Sequence, residues 1–368
     1  MIALIAIMVF FQIMTSGILF QPLNLTNLVL QNSYVVVMAL GMLLVIVAGH
    51  IDLSVGSVVG FIGALAGELM VNHQMNFVLA MFICLVVGGM VGAAQGYWIA
   101  YLKIPSFIVT LAGMLFFRGL TLTVTGGRSL GPFPGSFQKL SSGFIPDFVS
   151  GSFNVLSMAI GILVSGLMFF FALRRRLRRQ KHGYRGNSLL FFIIEQAVIA
   201  GLVLFLTYLL ASYRGLPNVL IVMGVLIAAF NFLTTRTTIG RRIYALGGNA
   251  NAARLSGINT KQLTFLTFIT MGVLAALGGL IFVARLNDAT PKGGVGFELD
   301  VIAAVFIGGA SASGGVGKVL GAVVGAFIIG VMNNGMSIMG VGIDWQQMIK
   351  GLVLLAAVVF DVYNKSRT

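Results

Sequence analysis

The sequence predicts an all-α, polytopic integral membrane protein, and three observations lead to this fold class. The chain has 368 residues, of which 58% are hydrophobic and only 9% are charged, against about 25% charged residues in an average soluble domain. A soluble fold of this size would need far more polar surface than the chain can supply. Apolar runs of about 20 residues, the length of a helix that crosses the bilayer core, recur throughout. A transmembrane β-barrel would instead alternate apolar and polar residues.

The apolar runs predict ten to twelve transmembrane or re-entrant helices in a single membrane domain, 1–368. The candidate segments are 1–20, 33–49, 54–71, 77–100, 105–125, 152–173, 188–210, 218–235, 262–284, 299–310, 317–333 and 345–362. Segments 299–310 and 317–333 are short or rich in glycine, so they form either two crossings or one re-entrant pair. Both alternatives give an even number of crossings and leave the two termini on the same side of the membrane.

The distribution of basic residues predicts which side that is. Lys and Arg together number 23, and Asp and Glu number 9, so the net charge is +14. With the N-terminus inside, 15 basic residues fall in inner loops and 5 in outer loops, as the positive-inside rule requires. Both termini are therefore predicted to be cytoplasmic, and the basic excess indicates topology rather than nucleic-acid binding. The basic cytoplasmic loop 174–187 would lie beside anionic lipid headgroups.

Two longer polar stretches interrupt the apolar pattern. Segment 126–151 contains three prolines and several serines, and it is predicted to be an ordered external loop. Segment 236–261 is predicted to be a cytoplasmic loop that contains a helix of its own.

Two rows of glycines at four-residue spacing suggest an internal repeat. Gly88, Gly92 and Gly96 form one row, and Gly317, Gly321 and Gly325 form the other. Small residues at this spacing let helix backbones approach closely in lipid. Each row follows a polar, glycine-rich break, at 49–57 and at 308–315. We interpret this pattern as two pseudo-repeated halves, a common plan in transporters; chance alignment of membrane glycines is the alternative.

Segment 236–261 carries the strongest motif. Asn249 follows two glycines and is a favourable N-cap, and Gly257 is a favourable C-cap. The residues between them, 250–256, would form about two helical turns, which are too short to be stable alone. The small residues of this helix favour docking into a groove on a partner protein. The alternative, a helix lying on lipid, requires a larger apolar face.

Segment 240–258 resembles the coupling-helix loop in the permease subunits of sugar-importing ATP-binding-cassette transporters of the ribose/xylose/galactose class. The resemblance extends over nearly the whole chain from about Asn24, through motifs at 39–42, 51–57, 105–113, 118–119, 300 and 308–317. Within this family, segments 129–134 and 137–146 resemble the multiple-monosaccharide subgroup, which imports arabinose, galactose and related sugars.

The resemblance implies an assembly in the bacterial inner membrane. Two permease copies would form the pathway, a periplasmic sugar-binding protein would deliver the substrate, and a cytoplasmic ATPase with two fused nucleotide-binding domains would supply energy. The permease itself would be no enzyme and would bind no cofactor, since ATP and Mg²⁺ belong to the ATPase. Segment 314–318 is not a phosphate-binding loop, because Ala312 and Val319 stand where Gly and Ser or Thr are required. The resemblance implies ATPase coupling through Arg241, Arg242, Asn249, Ala252, Ala253, Arg254, Leu255 and Gly257.

The break at 49–57 contains the most informative acid. A carboxylate at bilayer depth costs about 3 kcal/mol and requires a partner or water. We expect Asp52 to cap a helix that begins near Leu53; a role in a gate is the second interpretation, and proton relay the third. The predicted residues of the gate and its helix breaks are Asp52, Ser54, Gly56, Gly314 and Gly315.

Arg118 lies deep in segment 105–125 and needs a carboxylate or carbonyl partner, for which Asp300 and Glu68 are the candidates. The three histidines fall apart along the sequence, so no metal site is predicted. Candidate pathway residues are the polar and aromatic groups of the spans, although packing is the favoured role of the aromatic ones. These residues are Asn32, Tyr34, Gln95, Phe107, Phe116 and Asn334.

Two other classes of membrane protein compete with a permease subunit. A stand-alone, ion-coupled secondary transporter would require a cluster of acids at mid-membrane, yet the whole chain has only nine acids and few lie in spans. It would also leave the helix at 250–256 without a role. An intramembrane protease would require paired aspartates, a Ser/His pair or HExxH within spans, and the sequence has none of these.

Overall fold

The computed structural model describes residues 2–147, 153–181 and 188–365, and all of their regular structure is helical. The helices are α1 (Ile2–Met14), α2 (Pro22–Val47), α3 (Val55–Gly67) with a π-helical turn (Glu68–Asn72), α4 (Phe77–Ala100), α5 (Ser106–Thr125), α6 (Gly135–Gln138), α7 (Val155–Lys181), α8 (Leu189–Ala211), α9 (Val219–Arg236), α10 (Thr238–Gly248), α11 (Ala250–Leu255), α12 (Thr260–Leu286), α13 (Phe297–Ile307), α14 (Val319–Ile338) and α15 (Ile343–Lys365).

Ten helices in the described ranges are long and apolar enough to cross a membrane, which confirms the polytopic all-α fold. They are α2, α3 with its π-helical turn, α4, α5, α7, α8, α9, α12, α14 and α15. The predicted span 1–20 is wrong in length, because α1 has 13 residues and would rise only about 20 Å. The side on which each terminus lies stays a prediction.

Helices α2 and α12, both largely buried, form the centre of the bundle. In α2, 89% of the most apolar window is buried, and in α12 the share is 67%. The first glycine row lets α4 approach α12 at backbone distance, because Gly88 lies against Gly272 and Gly92 lies against Phe268. The second row brings α14 onto α13, with Gly321 against Gly308. Both rows therefore act as packing surfaces, while the pseudo-repeat itself stays a prediction.

Segment 287–307 crosses the bundle with its first half unwound. Ala289 pairs with Leu130 through backbone hydrogen bonds of 2.9 and 3.0 Å, beside Gly67 at one end of α3. Gly294 then lies against Gly56, at the other end of α3. Helix α13 completes the passage and α14 returns from it. Non-helical backbone is tolerated at this depth where protein buries it or water reaches it. Helix α13 has only 11 residues and is not among the helices long enough to cross a membrane by themselves, so both the two crossings and the re-entrant pair stay predictions.

Two predicted loops contain more helix than the sequence suggests. Residues 174–181 of the predicted basic loop 174–187 continue α7 as helix, and residues 182–187, with His182, lie outside the described ranges. The predicted external loop 126–151 contains α6 and is held at its start by the Leu130 pairing. Phe137 of α6 is fully buried. Residues 148–151, the last of the predicted loop 126–151, lie outside the described ranges.

Candidate functional site

The cytoplasmic-loop motif folds as two short consecutive helices, α10 and α11. Asn249 ends the first helix through its backbone N–H, which donates to the Ala245 carbonyl at 3.0 Å, and begins the second through its side-chain Oδ1, which accepts from the Ala252 N–H at 2.9 Å. Gly257 has a φ of +80°, a left-handed value suited to a helix end. Helix α11 therefore has the predicted bounds to within one residue. Helix α10 was not predicted, although Thr237 is a good N-cap for it and the buried Ile243 and Leu246 repeat at helical spacing.

The residues predicted to couple to an ATPase divide into an outward group and an inward one. Leu255 is 86% exposed, and Arg241, Arg242, Asn249, Ala252, Arg254 and Gly257 are also exposed. Ala253 is only 5% exposed. A helix as short as α11 must bury one side against its own chain, and Ala253 lies on that side. Direct docking through Ala253 therefore does not fit the structure, whereas Ala252, Arg254 and Leu255 are available to a partner.

Helix α10 and loop 308–318 both contact one backbone carbonyl group at the end of α2. The Gly315 N–H donates to the carbonyl of Val47, the last residue of α2, at 2.9 Å. Gly247 packs against the same carbonyl, and a side chain at this position would overlap it. Gly314 lies against both Gly49 and Gly247. We call this contact of α10, the end of α2 and loop 308–318 the glycine junction.

A side-chain hydrogen bond reinforces the glycine junction. The Tyr244 hydroxyl donates to the carbonyl of Gly317 at 2.8 Å. Burial raises the pKa of the Tyr244 phenol above its ordinary value of 10.0, so the hydroxyl stays protonated at physiological pH. Gly314 and Gly315 have φ values of +81° and +74°, which few other residues adopt without strain. The predicted break residues Gly314 and Gly315 are thus directly connected to loop 236–261.

Asp52 and Ser54 form a buried polar cluster with Gln95 of α4. The Asp52 carboxylate accepts from the Ser54 N–H at 2.8 Å and from the Ser54 hydroxyl at 2.6 Å. Gln95 Nε2 donates to the Ser54 hydroxyl at 2.9 Å. The helix after the break begins at Val55 rather than near Leu53, because Ser54 occupies the N-cap position. Asp52 thus orders the turn that leads into α3.

Two ion pairs hold the first turn of α13 from opposite sides. Arg118 Nη2 of α5 lies 2.9 Å from Glu298 Oε1, and Lys350 Nζ of α15 lies 2.9 Å from Asp300 Oδ1. Both candidate partners proposed for Arg118, Asp300 and Glu68, are therefore wrong. Residues two apart on a helix point to opposite sides, so Asp300 faces α15 when Glu298 faces α5. Glu68 instead accepts from Asn72 Nδ2 at 2.6 Å.

The depth and exposure of Arg118 indicate what must surround this first turn. It is the thirteenth of the 20 residues of α5, and 35% of its side chain is exposed. A charge at such depth is unfavourable against lipid tails, so this face of α5 requires water or another protein. The predicted gate residues form two separate groups. Gly56 contacts Glu298 and Gly294, whereas Gly314 and Gly315 contact Gly247 and Gly248.

The structure does not gather the six candidate pathway residues at one place. Gln95 and Phe116 both line a cavity of about 760 Å³ that is otherwise mainly apolar. Asn32 donates to the Leu28 carbonyl of its own helix at 2.8 Å, and Tyr34 stacks on Phe297 with ring centroids 4.7 Å apart. Asn32 and Tyr34 therefore make contacts within the protein and are not exposed to a substrate.

The remaining two candidates lie apart from these. Asn334 forms a reciprocal amide pair with Asn24, at 3.0 and 3.1 Å. Phe107 is 53% exposed on α5, outside the 760 Å³ cavity. Among the described residues, no three His, Cys, Asp or Glu side chains form a group that could hold a metal ion.

Comparison with known proteins identifies the family. The sequence model of the family described as the permease component of branched-chain amino acid transport systems matches residues 24–358. The xylose transport system permease protein XylH of Escherichia coli K12 is 42% identical over 368 residues, which cover all of this chain and 91% of XylH. No solved structure matches the chain.

Two further relatives agree with this result. XylH of Haemophilus influenzae is 40% identical over 367 residues, covering all of this chain and 96% of that protein. The ribose import permease protein RbsC of Escherichia coli K12 is 34% identical over 338 residues, covering 92% of this chain and 85% of RbsC. The family match spans most of the chain and the relatives match it almost end to end. The chain therefore belongs to this family of membrane transport permeases.

Proposed function

We propose that this chain is the transmembrane permease subunit of an ATP-driven monosaccharide importer in the bacterial inner membrane. The observation that carries the sugar assignment is the 42% identity to a xylose transport permease over the full length of this chain. A ribose import permease at 34% identity points to the same class of substrate. The substrate class is a pentose or a related monosaccharide of the xylose, arabinose and galactose group.

The proposed assembly has three kinds of component. Two copies of the permease enclose the pathway, and a periplasmic binding protein supplies the sugar. A tandem nucleotide-binding ATPase docks on the opposite side and holds the ATP and Mg²⁺, so this chain needs no cofactor. The exposed residues of α10 and α11 support this docking, because Leu255 is a large apolar side chain left 86% exposed beside three exposed arginines.

The glycine junction suggests how docking is transmitted to the membrane helices. Movement of α11 displaces α10, to which it is joined at Asn249. Helix α10 contacts the last carbonyl of α2 and, through Tyr244, loop 308–318. That loop joins α13 to α14, and the first turn of α13 is bound to α5 and α15 by ion pairs. A displacement at the ATPase therefore reaches α13 and the unwound passage 287–296 through the backbone, and it reaches α5 and α15 through the two ion pairs.

Co-purification from detergent tests the assembly. The permease is expressed with its natural partners, purified by a tag on this chain alone and tested for ATP hydrolysis. We expect a tandem ATPase to arrive with it, and vanadate-sensitive hydrolysis to be stimulated by a sugar-loaded binding protein. Isolation of this chain alone, with sugar uptake into liposomes driven by an ion gradient, would overturn the proposal in favour of a secondary transporter.

A further inference from the structure

A pocket of about 410 Å³ that contains two cationic side chains lies at the end of the bundle that carries α10 and α11. The end of α9, the body of α10 and the start of α14 line it. We call it the α9–α14 pocket. Helix α11 contributes no residue to it, and Arg241 is the one arginine that the pocket shares with the docking surface described above.

The charge of the α9–α14 pocket is positive and uncompensated. Arg241 and Lys318 both line it, and no carboxylate does. Neither cation forms an ion pair with a described residue. The acid bound to the same loop, Asp361 of α15, accepts instead from the Ser311 hydroxyl and the Ala312 N–H, at 3.0 and 3.2 Å. The pocket therefore attracts an anion.

The hydrogen-bonding groups of the pocket favour an acceptor-rich ligand. The hydroxyls of Thr234 and Thr235 already donate to carbonyls of their own helix, at 2.9 and 2.6 Å. The Tyr244 hydroxyl donates to Gly317. The remaining donors are Arg241, Lys318 and the exposed side-chain amide of Asn231, a set that suits phosphate oxygens.

The position of the pocket decides between a lipid and a free anion. Helix α9 ends at Arg236 and α14 begins at Val319, so the pocket lies where two membrane spans reach the surface. Leu320, which lines the pocket, is 61% exposed, and Phe232, the residue after Asn231 in α9, is 62% exposed. A cationic pocket directly above an exposed apolar surface fits an amphiphile rather than a small soluble ion.

We propose that the α9–α14 pocket binds the phosphate headgroup of an anionic phospholipid. The headgroup bridges Arg241 on α10 and Lys318 at the start of α14, and the acyl chains lie along α9 and α14. Tyr244 and Gly317, which line the same pocket, already join these two elements. Bound lipid therefore strengthens the attachment of α10 to loop 308–318, and this role does not depend on which sugar is transported.

Native mass spectrometry of the purified full chain tests the proposal. Phosphatidylglycerol and phosphatidylcholine with identical acyl chains are titrated into the unmodified protein, the double variant R241Q/K318Q and the control R242Q/K261Q. The control also removes one Arg of α10 and one Lys at the start of a membrane span, but both of its residues lie outside the pocket. We expect R241Q/K318Q to bind phosphatidylglycerol about tenfold more weakly and the control to bind it like the unmodified protein.

The competing outcomes are separated in the same titration. Equal loss of phosphatidylglycerol binding in the control would overturn the proposal in favour of diffuse attraction to basic residues. Competition by inorganic phosphate at similar concentrations, or equal binding of both lipids, would overturn the lipid assignment. The single variant K318Q, whose altered side chain forms no described hydrogen bond, is titrated as well, and lipid-free thermal unfolding of each variant identifies any misfolding.

Discussion

The N–H of Gly315 donates to the carbonyl of Val47 across 2.9 Å, and this bond connects loop 308–318 to the end of α2. Gly247 of α10 packs against the same carbonyl. The contact is between backbones, so rotation of a side chain cannot absorb a displacement of α10. The glycine junction is therefore a stiff connection between the exposed helices and two membrane-spanning elements.

Replacement of Gly247 by alanine should weaken the glycine junction. The added methyl group would overlap the Val47 carbonyl, and relief of such overpacking costs about 1–3 kcal/mol. Gly248→Ala is the matched control, because nothing lies within 4 Å of its added methyl. We expect G247A to lower sugar uptake by about tenfold, because about 1.4 kcal/mol corresponds to a factor of ten. We expect G248A to leave uptake near the native level. Equal uptake by the two variants would show that the junction does not transmit movement.

Leu255 and Ala253, two residues apart on α11, should respond differently to substitution. Leu255→Asp places a charge on an 86% exposed position, so the chain should fold normally while ATPase binding weakens. Loss of one buried leucine contact is worth about 2 kcal/mol, or roughly thirtyfold in affinity. Ala253→Leu should instead lower the thermal stability of the chain itself, because Ala253 is buried.

Thermal unfolding in detergent and co-purification of the ATPase separate these two effects. The assignment of α11 to docking fails if L255D retains the ATPase in native amounts. Ala252→Ser is a suitable control, since it makes a small change at a neighbouring exposed position.

Local sequence signals predicted the helix caps but could not predict contacts between distant segments. Asn249 and Gly257 were identifiable because capping depends on neighbouring residues. The partner of Arg118 was not identifiable, since Glu298 is 180 residues away along the chain. Its identity depends on the unwinding of 287–296, which rotates the first turn of α13 relative to a continuous helix.

The contact between distant glycines could not be predicted from the sequence either. Gly247, Gly314 and Gly315 each mark a break in the sequence, but only the fold brings them to one carbonyl. Helix α10 was not predicted, and it ends in Gly247 and Gly248, two residues that disfavour a helix. Its buried Ile243 and Leu246 outweigh the low helix propensity of glycine.

Removal of one member of the Arg118–Glu298 pair should be worse than removal of both. In E298Q the Arg118 charge lacks its partner within a membrane span, and we expect a loss of about 2 kcal/mol in stability, moderated by the partial exposure of Arg118. The double variant R118Q/E298Q should recover part of this loss, with a coupling energy of about 1 kcal/mol. Unfolding of the unmodified protein, R118Q, E298Q and R118Q/E298Q in detergent measures this double-mutant cycle. Strict additivity would mean that the pair does not hold α13 to α5.

Two substitutions of Asp52 should separate its structural role from proton relay. One carboxylate oxygen accepts both the Ser54 N–H and the Ser54 hydroxyl, and the oxygen of asparagine can accept the same two bonds. Asp52→Ala removes the acceptor and leaves a buried N–H unsatisfied, at about 1–3 kcal/mol. We therefore expect D52N to retain most sugar uptake and D52A to lose most of it. Uptake into membrane vesicles, measured between pH 6 and pH 8 with ATP supplied, provides the test. Loss of uptake in both variants, with D52N as inactive as D52A, would favour proton relay, because asparagine preserves the hydrogen bonds but cannot exchange a proton.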